Sequence, residues 1–152
     1  MIASFFSVTG HVATVCLEDQ RSVNAEWYTT ICLPKVIAEI RKSNFKRRII
    51  LHHDNAGSHT AKKTNDYLTA QSIDLLHHPP YSPDLAPCDF FLFPKVKDQM
   101  RGMRFSSPEE AVDAYKMHIF EMSNSDWHNC YEEWFHRMNK CIDVAGEYFE
   151  KQ

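Results

Sequence analysis

Apolar and polar positions divide the chain into segments with different periodicities. Residues 2–8 and 11–17 are rich in β-branched and aromatic side chains, with the pair Thr9-Gly10 between them. Two such runs joined by a short glycine-containing turn are typical of a β-hairpin. We therefore predict two antiparallel strands at the start of the chain.

The next segment changes to helical spacing. We predict a helix over residues 24–43, because Asn24 is a suitable cap and apolar positions recur three or four residues apart. Pro34 lies inside this range, so it must kink the helix or occupy a first turn. The apolar stripe consists of Trp27, Ile31, Val36, Ile37 and Ile40.

The middle of the chain alternates between short apolar runs and helical segments. Residues 48–53 form an apolar run that ends at Asp54, and we interpret it as a buried strand with a parallel neighbour. A helix over about residues 58–71 and a second short strand over residues 73–77 follow. This alternation predicts an α/β fold.

Helices account for the rest of the pattern. A helix over residues 89–100 accommodates Pro94 if its regular part starts near residue 93. Ser106 or Ser107, followed by a proline and two glutamates, favours a helix start, and this helix ends near residue 122. A last helix is predicted over residues 126–144.

Composition changes this picture little. The 152 residues are 43% hydrophobic and 24% charged, which is typical of one globular domain. No apolar run approaches the roughly 20 residues that a membrane span needs, so we expect no membrane association. Five cysteines without a CxxC pair argue against both a disulfide framework and a zinc ribbon.

Charge points in two directions. The net charge of −3 gives no support for nucleic-acid binding, because most dedicated DNA-binding modules are basic. Local cationic clusters could still contact phosphates, although a solvated charged face explains any one of them equally well. The candidates are Lys46, Arg47, Arg48, Lys62 and Lys63, and a further cluster consists of Lys95, Lys97, Arg101 and Arg104.

Two aspartates occupy positions suited to ligand binding. Asp54 ends a predicted strand, and open α/β sheets bind ligands at the carboxyl ends of their strands. Aspartate is also common there for turn formation. Asp89 starts a predicted helix, where an ordinary N-cap is the alternative. Position alone leaves both alternatives open.

Two histidine pairs raise the alternative of a zinc site. His52 and His53 end one predicted strand, and His77 and His78 lie at the end of the next. Adjacent side chains on a strand point to opposite faces, so one metal ion cannot easily use both members of a pair. We therefore do not expect zinc.

Longer motifs change the interpretation of the two aspartates. The chain contains HHDNAGSHTA, HHPPYSPDLAPCDFFLFPKVK and GMRFSSPEEA, and near its end WFHRMNKCIDVAGEYFE. These strings resemble the mariner branch of the Tc1/mariner transposases, which carry HDNAxxHxA, YSPDLAPxDFxLF and G-x-R-F motifs. Thirty-four residues separate Asp54 from Asp89, as in the mariner pattern.

The resemblance implies an RNase H-like fold, a mixed sheet flanked by helices, in which three carboxylates bind two Mg²⁺ or Mn²⁺ ions. Asp54 matches the second carboxylate and Asp89 the third. Asn55 and His59 match residues beside the site, and we expect Asn55 to donate a hydrogen bond and His59 to start a helix or contact phosphate. Asp84, in the YSPD loop, is expected to hydrogen-bond local backbone N–H groups.

The resemblance also implies a function. Transposases of this family cleave DNA at transposon ends and join the freed 3′ ends to a TA target. Two metal ions activate a water or a 3′-hydroxyl and stabilise the leaving oxygen. The implied partners are DNA and a second copy of the chain, and the implied location is the nucleus.

One family motif has no counterpart in the chain. The family's first aspartate lies in a T-G-D-E-x-W segment on the first, central strand, whereas residues 1–17 match the second and third strands. Glu18 and Asp19 lie beyond the third strand and are unsuitable replacements. We therefore interpret residues 1–152 as a truncated catalytic domain without its first central strand and without the N-terminal helix-turn-helix domain.

This interpretation predicts absent or impaired catalysis, because two carboxylates bind a divalent pair poorly. The alternative function is that of a non-catalytic remnant that binds nucleic acid or protein. Loss of a central strand also exposes strand edges, and the hairpin could close the sheet by pairing directly with residues 48–53.

Overall fold

The computed structural model describes residues 1–17, 22–43 and 46–147. Glu18 and Asp19 lie outside the described residues. In the described part, no helix combines the length and apolarity that crossing a bilayer requires.

The chain divides into two compact units. The first contains a parallel strand pair and the helices around it, and the second contains the C-terminal helices. The first unit comprises Met1–Phe6 and Val12–Pro80, and the second comprises Ser7–His11 and Tyr81–Gln152.

The predicted hairpin is confirmed. Strands β1 (Ile2–Ser7) and β2 (Gly10–Cys16) form a two-stranded sheet, and the Ser4 and Thr14 hydroxyls lie 3.2 Å apart across it. Gly10 has a φ of +137°, which side-chain-bearing residues rarely adopt, so glycine suits the first position of β2.

The predicted helix after Asn24 is also confirmed, but it is not uniform. It consists of α1 (Ala25–Trp27), a π-helical turn (Tyr28–Cys32) and α2 (Leu33–Ser43). The Asn24 carboxamide oxygen accepts a hydrogen bond of 2.8 Å from the backbone N–H three residues later. Pro34 lies in the first turn of α2, and the wide π turn directly before it accommodates the missing proline N–H.

The second strand pair is parallel, as predicted. Strand β3 (Ile49–His52) pairs with β4 (Ile73–Leu76). Ile49 and Ile73 are buried partners, whereas Ile50 is 58% exposed, so β3 is buried on one face only. In the described residues the hairpin does not pair with β3, and the direct pairing suggested by the sequence is wrong. β3 obtains its ladder hydrogen bonds from β4, so the two pairs form separate sheets.

The crossover between these strands contains two helices where the sequence predicts one. Helix α3 (Gly57–Thr60) ends at Ala61, whose ψ of 142° is extended, and α4 (Lys62–Ala70) begins directly afterwards. The buried Thr64 hydroxyl donates to the Ser58 carbonyl at 2.6 Å and holds this break in place.

The second unit repeats the combination of a π turn and a proline. A π-helical turn (Cys88–Leu92) leads into α5 (Phe93–Gln99), and Pro94 is the second residue of that helix. Pro34 has the same place in α2. The expectation that Pro94 lies in a first turn is therefore confirmed.

Two capped helices complete the second unit. Ser107 caps α6 (Pro108–Phe120) by accepting a hydrogen bond from the Glu110 N–H. Ser123 caps α7 (Asn124–Asp143), and Asp126 completes a reciprocal capping box as its third residue. The last helix therefore starts two residues earlier than predicted.

Each unit buries large apolar side chains. In the first, helices α1, α2 and α4 and three strands contribute to one cluster. In the second, the buried indole of Trp134 donates to the Leu85 carbonyl at 2.9 Å and ties α7 to the loop before the second π turn. The buried members of the first cluster are Val15, Trp27, Tyr28, Cys32, Leu33, Val36, Ile49, Leu68 and Ile73.

Candidate functional site

Asp54 lies two residues beyond the end of β3, at the carboxyl edge of the parallel pair. Its side chain is 55% exposed. Its Oδ1 accepts two hydrogen bonds, one from the Ala56 N–H at 3.0 Å and one from Nδ1 of His59 at 2.6 Å. The carboxylate is thus accessible but fixed in orientation.

The pKa of Asp54 is lowered. Burial is the largest single influence and opposes ionisation, but the Ala56 N–H together with the charge and hydrogen bond of His59 outweighs it. Asp54 is therefore an anion at neutral pH, which is the form that binds a cation.

An aromatic cluster surrounds this hydrogen bond. The His53 and His59 rings stack with their centroids 4.5 Å apart and an interplanar angle of 5°. The Tyr28 hydroxyl lies 3.1 Å from Nδ1 of His53, and its ring centroid lies 4.6 Å from that of His59. Sequence reasoning missed Tyr28 and His53 as members of the site, because Tyr28 is buried in the helical core pattern.

A contact between His52 and His78 links the carboxyl end of β3 to the segment after β4. His52 Nε2 lies 3.2 Å from His78 Nδ1, and the Asn55 carboxamide donates to the His78 carbonyl at 2.9 Å. Asn55 is therefore a hydrogen-bond donor beside Asp54. His52 and His53 contact different partners, as expected from the alternation of side chains along a strand.

Burial keeps both His52, the last residue of β3, and His53, which follows it, neutral. It lowers the pKa of His52 to about 4, with a further contribution from His78, and it lowers the pKa of His53 to about 4, with a further contribution from His59. These rings bring no positive charge next to Asp54 at neutral pH. A pocket of about 190 Å³ opens at this strand edge, lined in part by His53, Asp54 and His59.

Asp89 lies in the second unit, inside the π turn that precedes α5. The cap position belongs to Pro87, and no side chain caps this turn, so the N-cap alternative for Asp89 is wrong. The Asp89 N–H donates to the Ala86 carbonyl at 2.8 Å. The exposed Asp89 lines a groove of about 550 Å³ together with Phe93, Pro94, Lys97, Asp98 and Arg101.

Asp84 is buried in the YSPD loop, with 5% of its surface exposed. Its Oδ1 accepts no hydrogen bond within the described residues, so the expected bond to local N–H groups is not found at that oxygen. The loop N–H groups of Leu85 and Ala86 instead donate to main-chain carbonyls. Arg137 donates to the Asp84 carbonyl at 3.3 Å, so helix α7 also holds the loop.

The predicted basic residues fall into two groups. Arg48 pairs with Asp74 at 2.6 Å, and Lys63 pairs with Glu26. Such exposed pairs contribute at most about 1 kcal/mol. In the described part of the chain, the exposed residues Lys46, Arg47 and Lys62 take part in no ion pair.

The donor atoms suit a hard divalent cation. Asp54 is ionised and accessible, and carboxylate oxygens are the ligands that Mg²⁺ and Mn²⁺ prefer. Residues 1–17, 22–43 and 46–147 contain no group of three histidine, cysteine, aspartate or glutamate side chains arranged to hold a metal ion. Asp54 and Asp89 are the two carboxylates that fit the motif spacing.

Comparison with known families gives the class of this α/β domain. The family model described as DDE superfamily endonuclease matches residues 2–112, which is more than two thirds of the chain. The chain belongs to this family.

Among individual relatives, the chain is similar to a mariner transposase. The chain is 31% identical over 159 residues to the Mariner Mos1 transposase of Drosophila mauritiana, a match that covers 99% of this chain and 45% of that protein. It is 34% identical over 101 residues to Histone-lysine N-methyltransferase SETMAR of Homo sapiens, covering 66% of this chain and 15% of that protein. The chain thus spans less than half the length of these two relatives.

Solved structures agree with the sequence relatives. The crystal structure of the catalytic domain of Mos1 mariner transposase matches with a TM-score of 0.90 and 27% identity over 98% of this chain and 75% of that chain. The Mos1 transposase paired-end complex with left transposon end matches with a TM-score of 0.90 and 28% identity, and the match covers 98% of this chain and 44% of that chain. The structure of Mos1 transposase catalytic domain and Raltegravir with Mg matches with a TM-score of 0.90 and 27% identity. That match covers 98% of this chain and 76% of the other. The fold is RNase H-like, and the chain is homologous to the Mos1 catalytic domain.

Proposed function

We propose that this chain carries part of a metal-dependent site for DNA strand cleavage and transfer, in which Asp54 and Asp89 are metal ligands. The observation that carries the proposal is the state of Asp54, an accessible anion fixed at the carboxyl edge of the parallel strands. Membership of the DDE superfamily endonuclease family supports the reaction class.

The residues around Asp54 prepare it for metal binding. His59 and the Ala56 N–H occupy Oδ1 and fix the carboxylate plane, which leaves Oδ2 for an ion. His53 is neutral at neutral pH, so it does not repel a cation. Two divalent ions, when bound, supply activation of water or a 3′-hydroxyl and stabilise the leaving oxygen.

DNA is the proposed substrate. The matched Mos1 structures include a paired-end complex with left transposon end, and others contain Mg or Mn. By analogy, we propose transposon ends and a TA target as the DNA partners, with a second copy of the chain in the complex. Action on nuclear DNA would agree with the eukaryotic origin of the matched relatives.

Nicking of supercoiled plasmid in Mg²⁺ tests the proposal. Nicking by the chain should be weak, because only part of the site is present; it should require Mg²⁺ or Mn²⁺ and stop in EDTA, and Asp54→Ala should abolish it. Asp66→Ala, which removes an exposed carboxylate from α4 in the same unit, should leave it unchanged. If no metal supported nicking by the chain, the cleavage activity would be disproved.

DNA binding without cleavage is the second candidate function. It is favoured because, among the described residues, Lys46, Arg47 and Lys62 are exposed cations without an ion pair. A combined Lys46→Glu and Arg47→Glu variant should weaken salt-dependent retention of DNA. Undetectable DNA affinity of the unmodified chain at low salt would exclude this function.

A further inference from the structure

One face of the helical segment that begins near Asp89 carries an acidic residue at its start and basic residues towards its end. Asp89, Phe93, Lys97 and Arg101 recur at intervals of four residues and line the same groove of about 550 Å³. Val96, between them in sequence, is 1% exposed and packs into the second unit. The groove is therefore the outer face of α5 and its flanking turns.

Two lysines of α5 have different surroundings. Lys95 forms an ion pair with Asp126 and lies 5.4 Å from the centroid of the Phe91 ring, so it ties α5 to the start of α7. Lys97 is exposed on the groove, and within the described ranges no ion pair engages it. The positive charge of Lys97 is therefore available to an anion from outside the chain.

Within the described residues, the other charged side chains that line the groove form no ion pair with Lys97. Arg101 and Asp98 pair with each other at 2.8 Å, and their side chains are 81% and 70% exposed. An exposed pair of this kind contributes at most about 1 kcal/mol, so Arg101 can exchange Asp98 for another anion at little cost. Lys97 is left facing the same groove as Asp89.

We propose that Lys97 binds a backbone phosphate of the DNA strand on which the Asp89 site acts, with Arg101 as a second, exchangeable contact. This inference rests on the function proposed above. Lys97 follows Asp89 by eight positions along the helical segment, which corresponds to a rise of about 12 Å. One strand of B-DNA advances about 3.4 Å per nucleotide, so for a strand that runs along this helix the contacted phosphate lies roughly three to four nucleotides from the cleaved one.

Salt-dependent binding measures this contact. Affinity of the full chain for a short fluorescent duplex is measured in EDTA, so that cleavage cannot interfere, between about 50 and 200 mM salt. Lys97→Ala should lower the slope of log Kobs against log salt by about 0.9, so that the same rise in salt weakens binding roughly three- to fourfold less than in the unmodified chain. Lys97→Arg should keep the slope.

Lys116→Ala is the matched control, because it removes one exposed lysine from α6 in the same unit without touching the groove. Its slope should equal that of the unmodified chain. If Lys97→Ala and Lys116→Ala gave the same slope as the unmodified chain, the Lys97 contact would be disproved while DNA binding stood. Absence of any salt-dependent binding by the unmodified chain would overturn both this inference and the proposed DNA substrate.

Discussion

At the scale of single residues, the Asp54 carboxylate depends on its neighbours for both orientation and charge. His59 supplies the short hydrogen bond to Oδ1, and His53 stacks on His59. Partners that orient a metal ligand are worth roughly 10- to 100-fold in metal affinity. The arrangement makes His59 a positioning residue for Asp54.

Substitution of His59 tests that role. His59→Ala should weaken Mn²⁺ binding roughly tenfold, as measured by calorimetric titration, because Asp54 loses its shortest hydrogen bond. His59→Gln, which retains a donor, should restore part of the affinity. His128→Ala, which removes an exposed histidine from α7, should have no effect. Equal Mn²⁺ affinity in His59→Ala and the unmodified chain would contradict the role.

The buried rings of His52 and His53 predict a pH dependence of folding stability. Their pKa values are lowered to about 4 from an ordinary value near 6.5, so the unfolded chain binds protons first as the pH falls. Their contribution is complete above pH 6.5 and is lost as the pH falls towards 4. The expected loss at pH 5 is on the order of 1–2 kcal/mol in total, discounted for partial exposure.

Urea unfolding in EDTA at pH 7 and pH 5 measures this loss. A variant with His52→Gln and His53→Gln should show a smaller difference between the two pH values. A free energy of unfolding that does not fall between pH 7 and pH 5 would show that these rings are not buried as neutral groups.

Some of this residue-level detail could be predicted from the sequence and some could not. Asp54 and Asp89 stand out because strand-end position, motif and spacing agree. Tyr28 carries no such signal, since its place beside His53 depends on how α1 and the first π turn pack against the end of β3. Local patterns do not specify such tertiary contacts.

At the scale of elements, caps stabilise the first turns of helices α6 and α7 in the second unit. Ser123 and Asp126 satisfy two backbone N–H groups at the start of α7. Ser123→Ala should lower the free energy of unfolding by about 1 kcal/mol in urea titrations, because α7 loses its cap. Asn129→Ala, at an exposed interior position of α7, should be neutral or slightly stabilising. If both variants had the same stability, the capping account would be wrong.

Element types were predictable, whereas some boundaries were not. Hairpin alternation and helical spacing predicted most elements correctly. The break at Ala61 has no glycine or proline to mark it, and it depends on the buried Thr64 hydroxyl reaching the Ser58 carbonyl. The π turns are marked only by the prolines that follow them, and Pro34 and Pro94 identify their positions in retrospect.

At the scale of the whole molecule, the two proposed ligands belong to different compact units, with Asp54 in the first and Asp89 in the second. The thirty-four residues between them comprise the α3–α4 crossover, β4 and the YSPD loop. Long shared motifs made the family predictable from sequence. The separation of the hairpin from the parallel pair was not predictable, because strand pairing across distant segments leaves no local signature.

The central claim is that Asp54 and Asp89 are both ligands of divalent metal ions. The most direct test is Mn²⁺ titration of the unmodified chain, Asp54→Asn, Asp89→Asn and the double variant. Each single substitution should lower Mn²⁺ affinity at least roughly tenfold, because each removes a carboxylate ligand, and the double variant should bind no more tightly than either single variant. Unchanged Mn²⁺ affinity in either single variant would contradict the role of that aspartate as a metal ligand.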